Sequence, residues 1–376
     1  MAGRQNTTTK IDRVGLDIGT HSVTGVEITS RGSEIVIHSA GSITIPRDRQ
    51  RPAGVVAAIK QLWNTCGFSC RRVYLALPSS AVYMKWLNLE AENEEELDNV
   101  ARATAVRGAP FPASDAIVDY RRLPSCGGSS RNTHLVMLAA ASSSSVDGLL
   151  NIVESAGLEA MAVDIEPVAT ARGFAAQKHT ANQLWSGQPH AHCRIGASNT
   201  VIEVTRGDAL EFARSVPVGG NDFTTCIAEA LQISFDEAER IKHAPGCRLA
   251  TDGSLIASLS GEQVRVGCEA IIGRMAREMH RSLKFFRSQY ADGSYLGMTS
   301  AATLSGGGAL LRGIDVCLEE QGLEVSAVVN PFTGLSVAAD GKGISGVVDS
   351  AAQYTTAVGL ALADYWENLA EQQAAA

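Results

Sequence analysis

A short apolar strand, a tight turn at an Ile-Gly pair and a β-branched return strand occur twice in this chain. The first copy spans Val14–Ile28 and the second spans Cys193–Val204. Glycine permits the turn because it has no Cβ atom, and the backbone N–H groups of such a turn suit a phosphate. One copy is typical of an ordinary hairpin. Two copies, one in each half of the chain, predict that a polyphosphate is held from both sides.

Composition limits the classes of protein to consider. The 376 residues are enough for two domains, and 45% hydrophobic with 19% charged residues predicts a packed core. The net charge of -8 argues against binding to duplex nucleic acid. The eight cysteines lack paired spacing, which fits a reducing cytosol. The polar start and the short longest apolar stretch, Leu135–Ala141, predict neither a signal peptide nor a membrane span.

Periodicity predicts three strands, a helix and a fourth strand in the first half, followed by a small inserted α/β block. The three-strand pattern returns from Cys193 onwards. His179–His192 is predicted to be a linker because it is polar and contains glycine and proline. Helices are predicted over Val55–Cys66, Glu94–Val106, Ser144–Ala156, Pro167–Gln177, Asn221–Leu231, Ser234–Lys242, Gln263–Gln289 and Ala352–Ala370. Ser234 is the predicted N-cap of its helix, because Glu237 follows three residues later as in a capping box.

Three features of the sequence are suited to binding a nucleotide. Asp17 directly precedes the first turn, where a carboxylate can hold a Mg²⁺-bound water or cap its own turn. The glycines of Ser305–Gly308 lie between a predicted strand and a predicted helix, where they let a flat ligand approach the backbone. Glu239 and Lys242 share a face of a predicted helix, so they could contact a ribose or adenine, or form a surface ion pair.

The order of these features resembles that of the actin, hexokinase and Hsp70 ATPase superfamily. Within it the chain is similar to the type IV pilus assembly protein PilM family, from about Ile11 to Ala363. The most specific segments are Ala109–Pro112, Glu154–Leu158, Val163–Pro167, Arg281–Phe286, Leu304–Gly307 and Asn330–Phe332.

The resemblance implies an α/β fold of the actin-like, ribonuclease H-like duplicated type. Two lobes are expected around a nucleotide cleft, with an inserted α/β subdomain in the first. The expected boundaries are 11–83 for subdomain 1A, 84–163 for the inserted subdomain 1C, 164–190 for the return to 1A and the linker, 191–228 for the first part of 2A, 229–297 for 2B, and 298–376 for the second part of 2A with a C-terminal helix.

The resemblance also implies ATP or ADP as the ligand, with Mg²⁺. Asp17 would contact the metal through water, and Glu166 would orient an attacking water. The nucleotide-binding residues that it implies are Asp17, Gly19, Thr20, His21, Ser22, Gly196, Ala197, Ser198, Asn199, Glu239, Lys242, Gly306, Gly307 and Gly308.

Two positions depart from the family pattern. Arg194 stands where an acid commonly precedes the second Ile-Gly, and Thr24 stands where the first loop often has a lysine. A positive charge at position 194 neutralises phosphate directly or leaves Mg²⁺ poorly held. We therefore expect nucleotide binding with at most slow ATP hydrolysis.

The implied function is that of a cytoplasmic scaffold at the inner face of the inner membrane, in a type IV pilus or type II secretion-like machine. The expected partner is the cytoplasmic N-terminal peptide of a PilN-like membrane protein, in a groove between the first and inserted subdomains. The motor ATPase and the platform protein are further candidate partners, and the membrane is reached only through a partner. No nucleic acid is expected.

Two other functions are open to the same superfamily. A small-molecule kinase needs a catalytic carboxylate facing a substrate pocket, for which the sequence offers no clear candidate. An FtsA-like division protein would carry a basic amphipathic C-terminal helix, whereas no Lys or Arg follows Lys342.

Overall fold

The computed structural model describes residues 11–31, 34–47, 51–123, 132–178, 189–207, 209–259, 261–289, 301–342 and 347–363. The chain forms two compact units, each built from separate segments. The first unit comprises 1–77, 147–181 and 330–376, and the second comprises 78–146 and 182–329. Among the helices of the described ranges, none has the length and apolar character needed to cross a membrane.

The elements are numbered in chain order. The strands are β1 (Ile11–Ile18), β2 (Ser22–Arg31), β3 (Glu34–Thr44), β4 (Arg72–Leu77), β5 (Val82–Glu90), β6 (Ala116–Arg122), β7 (Thr133–Ser142), β8 (Glu159–Ile165), β9 (Pro189–Ile195), β10 (Thr200–Arg206), β11 (Ala209–Val216), β12 (Arg248–Leu249), β13 (Ser254–Leu259), β14 (Glu262–Gly267), β15 (Ala302–Ser305), β16 (Val325–Val328) and β17 (Ser336–Lys342). The α-helices are α1 (Arg51–Cys66), α2 (Glu94–Gly108), α3 (Ser143–Ser155), α4 (Glu166–Lys178), α5 (Gly220–Leu231), α6 (Phe235–Lys242), α7 (Glu269–Ser288), α8 (Ile314–Glu320) and α9 (Thr355–Ala361).

The first unit is a six-stranded sheet in the order β17-β3-β2-β1-β4-β8. Strands β1, β2 and β3 are antiparallel, whereas β4 runs parallel to β1 and β8 runs parallel to β4. Leu16 and Ile59 belong to one buried cluster, so α1 covers one face of the sheet. Ile28 and Val358 belong to another, so α9 covers the opposite face. Burial of both faces explains why these strands are largely apolar.

Glycines allow the backbones of α4 and α9 to approach each other closely. A Cβ atom at Gly359 would lie 1.7 Å from the carbonyl oxygen of Ala169, and one at Gly173 would lie 2.0 Å from that of Thr355. Neither distance is compatible with van der Waals contact. The Arg172 guanidinium adds a polar link, since it donates to the carbonyl oxygen of Gly359 at 2.9 Å. The crossing therefore requires glycine in both helices.

The second unit contains a five-stranded sheet in the order β11-β10-β9-β15-β16 and two three-stranded sheets, β12-β13-β14 and β5-β7-β6. Ile195 and Ile202 of the larger sheet pack in one core with Phe223 of α5, Met275 of α7 and Leu318 of α8. Helices thus cover this face of the larger sheet, as the apolar residues at alternate positions of its strands require.

The sheet β5-β7-β6 belongs to the block that the sequence predicts as an insertion. Helix α2 begins at its N-cap Asn93, whose side chain accepts from the Glu96 N–H at 2.9 Å. Helix α2 covers one face of this sheet, where Leu97 and Leu138 belong to one buried cluster. The Trp86 indole N–H donates to the carbonyl oxygen of Leu210 at 2.8 Å. This hydrogen bond fastens β5 to β11 within the second unit.

The prediction of one helix over Gln263–Gln289 is wrong at its start. Strand β14 occupies the first part, and α7 begins at Glu269. Val264 and Val266 alternate with polar residues, which is the period of a strand rather than of a helix. The apolar spacing of the following helix obscured this change of period.

The predicted linker His179–His192 is wrong over its last four residues, which belong to β9. His190 and His192 are fully buried there, so their polarity did not indicate exposure. Residues 179–188 lie outside the described residues. So does the predicted C-terminal helix beyond Ala363, and the part before it is a 3₁₀ segment, Val348–Tyr354, followed by α9.

Candidate functional site

The turn between β1 and β2 is closed by a backbone hydrogen bond. The Gly19 N–H donates to the carbonyl oxygen of Ser22 at 2.9 Å. Asp17 is the penultimate residue of β1 and is half-buried, as are His21 and Ser22, whereas Thr20 is exposed. The structure therefore brings the five predicted residues of the first hairpin onto one tight turn.

Arg51 adds a positive charge to this turn. As the first residue of α1, it donates to the carbonyl oxygens of Gly19 at 3.1 Å and Thr20 at 3.4 Å. Sequence reasoning missed this residue, because nothing in the local pattern shows that the start of α1 reaches the turn 30 residues earlier in the chain.

The turn between β9 and β10 repeats the same closure. The Gly196 N–H donates to the carbonyl oxygen of Asn199 at 2.8 Å. The Asn199 amide donates to the Ser215 hydroxyl at 2.8 Å, which anchors the turn to β11. Ala197 is half-buried and Ser198 is exposed at the tip. The two hairpins are thus equivalent in backbone as well as in sequence.

Helix α5 begins at the second hairpin. Its Gly220 N–H donates to the carbonyl oxygen of Gly196 at 2.9 Å, and the Asn221 N–H donates to that of Ala197 at 2.7 Å. These bonds hold the turn against the positive end of the helix dipole, which favours an anion nearby. The tip at Ser198 stays exposed.

Two of the three glycines after β15 are required by packing. Gly306 has φ +84°, and a Cβ atom there would lie 2.4 Å from the carbonyl oxygen of Ile195. A Cβ atom at Gly308 would lie 2.4 Å from the Ile195 side chain. Because β15 pairs with β9, this turn lies directly against the second hairpin.

Gly307 has no such packing reason to be glycine. A Cβ atom there would have no described atom within 4 Å, and the residue is exposed. The fold would accept a larger residue at this position, so packing does not explain why this residue is glycine. The helix expected directly after the glycines is in fact a 3₁₀ turn, Gly307–Leu310, and α8 begins later.

A buried polar ladder supports this turn from β9. The His192 ring makes hydrogen bonds to the Thr303 hydroxyl at 2.9 Å and to the Ser305 hydroxyl at 2.8 Å. His190 reaches the same Thr303 hydroxyl at 3.2 Å. Sequence reasoning missed these residues. The signal was the alternation in β9 of His190, His192 and Arg194 with apolar residues, which places them on one face.

Glu239 and Lys242 form a partly buried ion pair on α6, with the Lys242 ammonium 2.8 Å from the carboxylate. Lys242 also donates to the carbonyl oxygen of Gly220 at 3.1 Å and to the Thr224 hydroxyl at 2.7 Å. The pair therefore links α6 to the first turn of α5, beside the second hairpin. Ser234 caps α6 by accepting from the Glu237 N–H at 3.2 Å, as predicted.

The environment of Glu239 favours its charged form. Burial alone raises the pKa of this carboxyl, but hydrogen bonds from His243, Lys242 and Thr224, together with the charge of Lys242, lower it well below the usual range. Glu239 is therefore ionised at neutral pH. This fixed charge holds Lys242 against the start of α5.

Replacing Lys242 by methionine is expected to destabilise the chain by about 2–3 kcal/mol, because Glu239 and the Gly220 carbonyl lose a buried partner. Urea unfolding followed by circular dichroism measures the loss. Arg265→Met is the control. It breaks the ion pair between Arg265 and Asp252, whose side chains are 59% and 58% exposed, respectively. That change should cost much less than Lys242→Met, because an exposed ion pair contributes little to stability.

The same variant has an expected pH dependence. An unfolded glutamate titrates near pH 4.3. Because the folded pKa of Glu239 is lower, its stabilisation is complete above that pH and is lost as pH falls through the folded pKa. The stabilities of wild type and Lys242→Met should therefore converge in acid. A constant gap down to the acid transition would contradict this account.

Glu166 is the first residue of α4, in the first unit, and it is buried. Its carbonyl oxygen accepts from the Thr170 hydroxyl at 2.9 Å, and that hydroxyl also meets Thr356 of α9 at 3.0 Å. The start of α4 is thus fixed against α9. Its predicted role with an attacking water stays a prediction.

Each unit brings its own set of predicted residues together. In the first, Asp17–Ser22 share one turn. In the second, Gly196–Asn199, the pair Glu239 and Lys242, and Gly306–Gly308 lie around the start of α5 and the end of β9. These contacts join motifs that are about 110 residues apart in sequence, as expected for a single binding surface.

A fold with a strand–glycine–strand hairpin in each of two units, together with a glycine turn after a parallel strand, is that of the actin-like class. Comparison with known sequences refines this class. A sequence model described as type IV pilus assembly protein PilM matches residues 15–365. The chain belongs to the type IV pilus assembly protein PilM family.

Three known proteins are similar to the chain to different degrees. It is 25% identical to a chain of the solved PilM–PilN type IV pilus biogenesis complex, with a TM-score of 0.77 over 94% of this chain and 99% of that one. MreB5 of Spiroplasma citri bound to ADP is more distant, at 14% identity and a TM-score of 0.46 over 96% and 98%. Cell division protein FtsA of Bacillus subtilis (strain 168) is 35% identical over 98 residues, which are 26% of this chain and 21% of that protein. The chain thus spans about a fifth of that curated relative.

Proposed function

We propose that the chain is an ATP- or ADP-binding scaffold of a type IV pilus or secretion-like assembly machine, which docks the cytoplasmic segment of a PilN-like membrane protein. The observation that carries the nucleotide part is Gly307. It is exposed, and no described atom lies within 4 Å of the position of its Cβ, yet it is flanked by two glycines that packing requires. A purine ring or a ribose packed against the backbone of Gly307 would explain why this residue is glycine.

The residues around Gly307 fit a nucleotide. In the second unit, Ser198 is exposed at the turn, and α5 directs its positive end there. In the first unit, the turn from Gly19 to Ser22 has the same closure and carries the Arg51 guanidinium. We propose that each turn is a phosphate-binding element of its own unit, and that Glu239 and Lys242 of the second unit contact the ribose or adenine.

The fit to Mg²⁺ is less complete. Asp17 is the carboxylate proposed to hold a Mg²⁺-bound water at the first hairpin. At the equivalent place in the second hairpin stands Arg194, which has no oxygen to offer a metal. We therefore propose binding rather than turnover as the main role of the nucleotide. Glu166 is the residue proposed to orient a water in any slow hydrolysis.

A PilN-like peptide is the proposed partner because the chain belongs to the PilM family and is similar to the PilM of a solved PilM–PilN complex. Strand β6 offers a place for it. Among the described strands β6 pairs with β7 alone, so its other edge is open to strand addition. Ile117 on this strand is 48% exposed, so an added strand would have an apolar side chain to cover. Attachment to the inner membrane would then come from the partner.

Flotation with liposomes tests this adaptor role. The purified chain alone should remain at the bottom of the gradient, and it should float once the cytoplasmic peptide of a neighbouring PilN-like protein is tethered to the lipid. Ile117→Lys should reduce recruitment by about tenfold, the loss typical of a central interface residue. Val316→Lys, at a similarly exposed apolar position on α8, is the matched control and should leave recruitment unchanged.

Flotation of the purified chain without peptide, or no recruitment by any such peptide, would contradict the adaptor role. Membership of the PilM family over most of the chain favours this role over that of a small-molecule kinase or a division protein.

A further inference from the structure

The two hairpins carry opposite charges at equivalent positions. Asp17 precedes Ile18 and Gly19 in the first, and Arg194 precedes Ile195 and Gly196 in the second. Both glycines donate to the carbonyl oxygen three residues later, at 2.9 Å and 2.8 Å. The backbone of the site is therefore duplicated while its charge is inverted, so the two turns cannot interact with phosphate in the same way.

Arg194 lies where the second hairpin meets the glycine turn. Its Nη1 atom is 3.7 Å from the position that a Cβ atom at Gly196 would take. Its Cγ atom is 3.2 Å from the equivalent position at Gly306. One half-buried side chain thus contacts the backbone of two of the proposed nucleotide-binding segments. A guanidinium at this place is within reach of a phosphate held by the hairpin.

Glu203 lies on the same face of the sheet, opposite His192 in the neighbouring strand. It is fully buried, and neither carboxylate oxygen accepts a hydrogen bond within the described part of the chain. Burial raises the pKa of this carboxyl well above its usual range, although the charge of Arg194 acts to lower it. Burial thus disfavours the charged form of this carboxyl, which is the form that would bind a metal ion or pair with a guanidinium.

We propose that Arg194 takes the place of the divalent cation at the second hairpin, so that binding of ADP or ATP depends on Mg²⁺ less than it would with a carboxylate at this position. A carboxylate at this position would need a cation between itself and the phosphate, since both are negative. A guanidinium donates directly to two phosphate oxygens with a planar pair of N–H groups. The inference rests on the proposed nucleotide function, and it concerns how the phosphate charge is balanced.

Nucleotide titrations with and without metal test the proposal. Binding of ADP to the purified chain is measured by calorimetry in excess MgCl₂ and in excess EDTA. The two dissociation constants of the wild type should agree within about threefold, because the guanidinium supplies the charge in both buffers.

Arg194→Asp should weaken binding in EDTA by about 100-fold and recover about tenfold when Mg²⁺ is added, since the new carboxylate can use the metal. Arg194→Lys should bind about tenfold less tightly than wild type, yet equally in both buffers, because it keeps the charge without the planar pair of donors.

Glu203→Gln is the matched control. It replaces an enclosed carboxyl by an amide of the same size that carries no charge, so both dissociation constants should stay within about twofold of wild type. Circular dichroism verifies that each variant folds. If Arg194→Asp does not fold, the titrations of Arg194→Lys in the two buffers test the inference. A wild type that loses tenfold or more in EDTA, or an Asp variant with unchanged affinity there, overturns the inference. A wild type that binds nucleotide in neither buffer overturns the nucleotide function as well.

Discussion

Replacing Gly359 by valine is expected to leave no stably folded first unit. A Cβ atom at this position would lie 1.7 Å from the carbonyl oxygen of Ala169 and 2.7 Å from the Gly173 nitrogen. Both are main-chain atoms of α4, so no side chain can move aside. The helices would have to separate, at a cost above about 4 kcal/mol, which is a large part of the roughly 5–15 kcal/mol that stabilises an ordinary domain. The soluble yield and the urea unfolding midpoint measure the effect.

Gly148→Ala provides the contrast. Gly148 lies on the exposed side of α3, where a Cβ atom would have no described neighbour within 4 Å. Alanine is the better helix former, so this variant should gain about 0.5–1 kcal/mol. If Gly359→Val unfolded at the urea concentration of the wild type, the backbone contact between α4 and α9 would have to be wrong.

Replacing Gly307 by valine is expected to abolish nucleotide binding in a chain that still folds. The added side chain meets no described atom of the protein within 4 Å of its Cβ. It would occupy the space proposed for the ligand, and overpacking of such a contact costs about 1–3 kcal/mol, or up to about 100-fold in affinity. Calorimetry with ADP measures the affinity, and thermal unfolding should give a midpoint close to that of the wild type.

Replacement of the neighbouring Gly306 should instead lower the stability of the fold. Gly306→Ala forces a residue with a Cβ into φ +84° and against the carbonyl oxygen of Ile195. The backbone conformation alone costs about 1–2 kcal/mol, so this variant should lose stability whether or not a ligand is present. Normal nucleotide affinity in Gly307→Val would refute the ligand explanation for that glycine.

The hairpins and the glycine turn could be predicted from sequence because their signals are local. An Ile-Gly pair between β-branched runs determines a turn almost by itself, as the equal closures at Gly19 and Gly196 confirm. The N-cap of α6 at Ser234 was found for the same reason. The actin-like fold was also predicted, but it came from the order of the motifs along the chain and not from any one of them.

The features that were missed depend on contacts between distant segments. Arg51 reaches the first turn only because α1 folds back across β2, and Trp86 reaches Leu210 across 124 positions. Three glycines in a row predicted a ligand, but the sequence could not show that two of them are required by Ile195. Nor could it show that Glu203 is fully buried, since charged residues in strands are normally exposed.

The packing of α9 across the first sheet also imposes an order on biosynthesis. This unit needs residues from 330–376, which are translated only after the whole of the second unit, 78–146 and 182–329. Domains fold as they emerge from the ribosome, so the second unit can complete its sheets first. Until α9 is made, Val26 and Ile28 lack their cover, and the nascent chain exposes an apolar strand face to other proteins. Strand β2 is thus synthesised before the second unit but is covered by α9 only after it. This strand is where a chaperone would be needed.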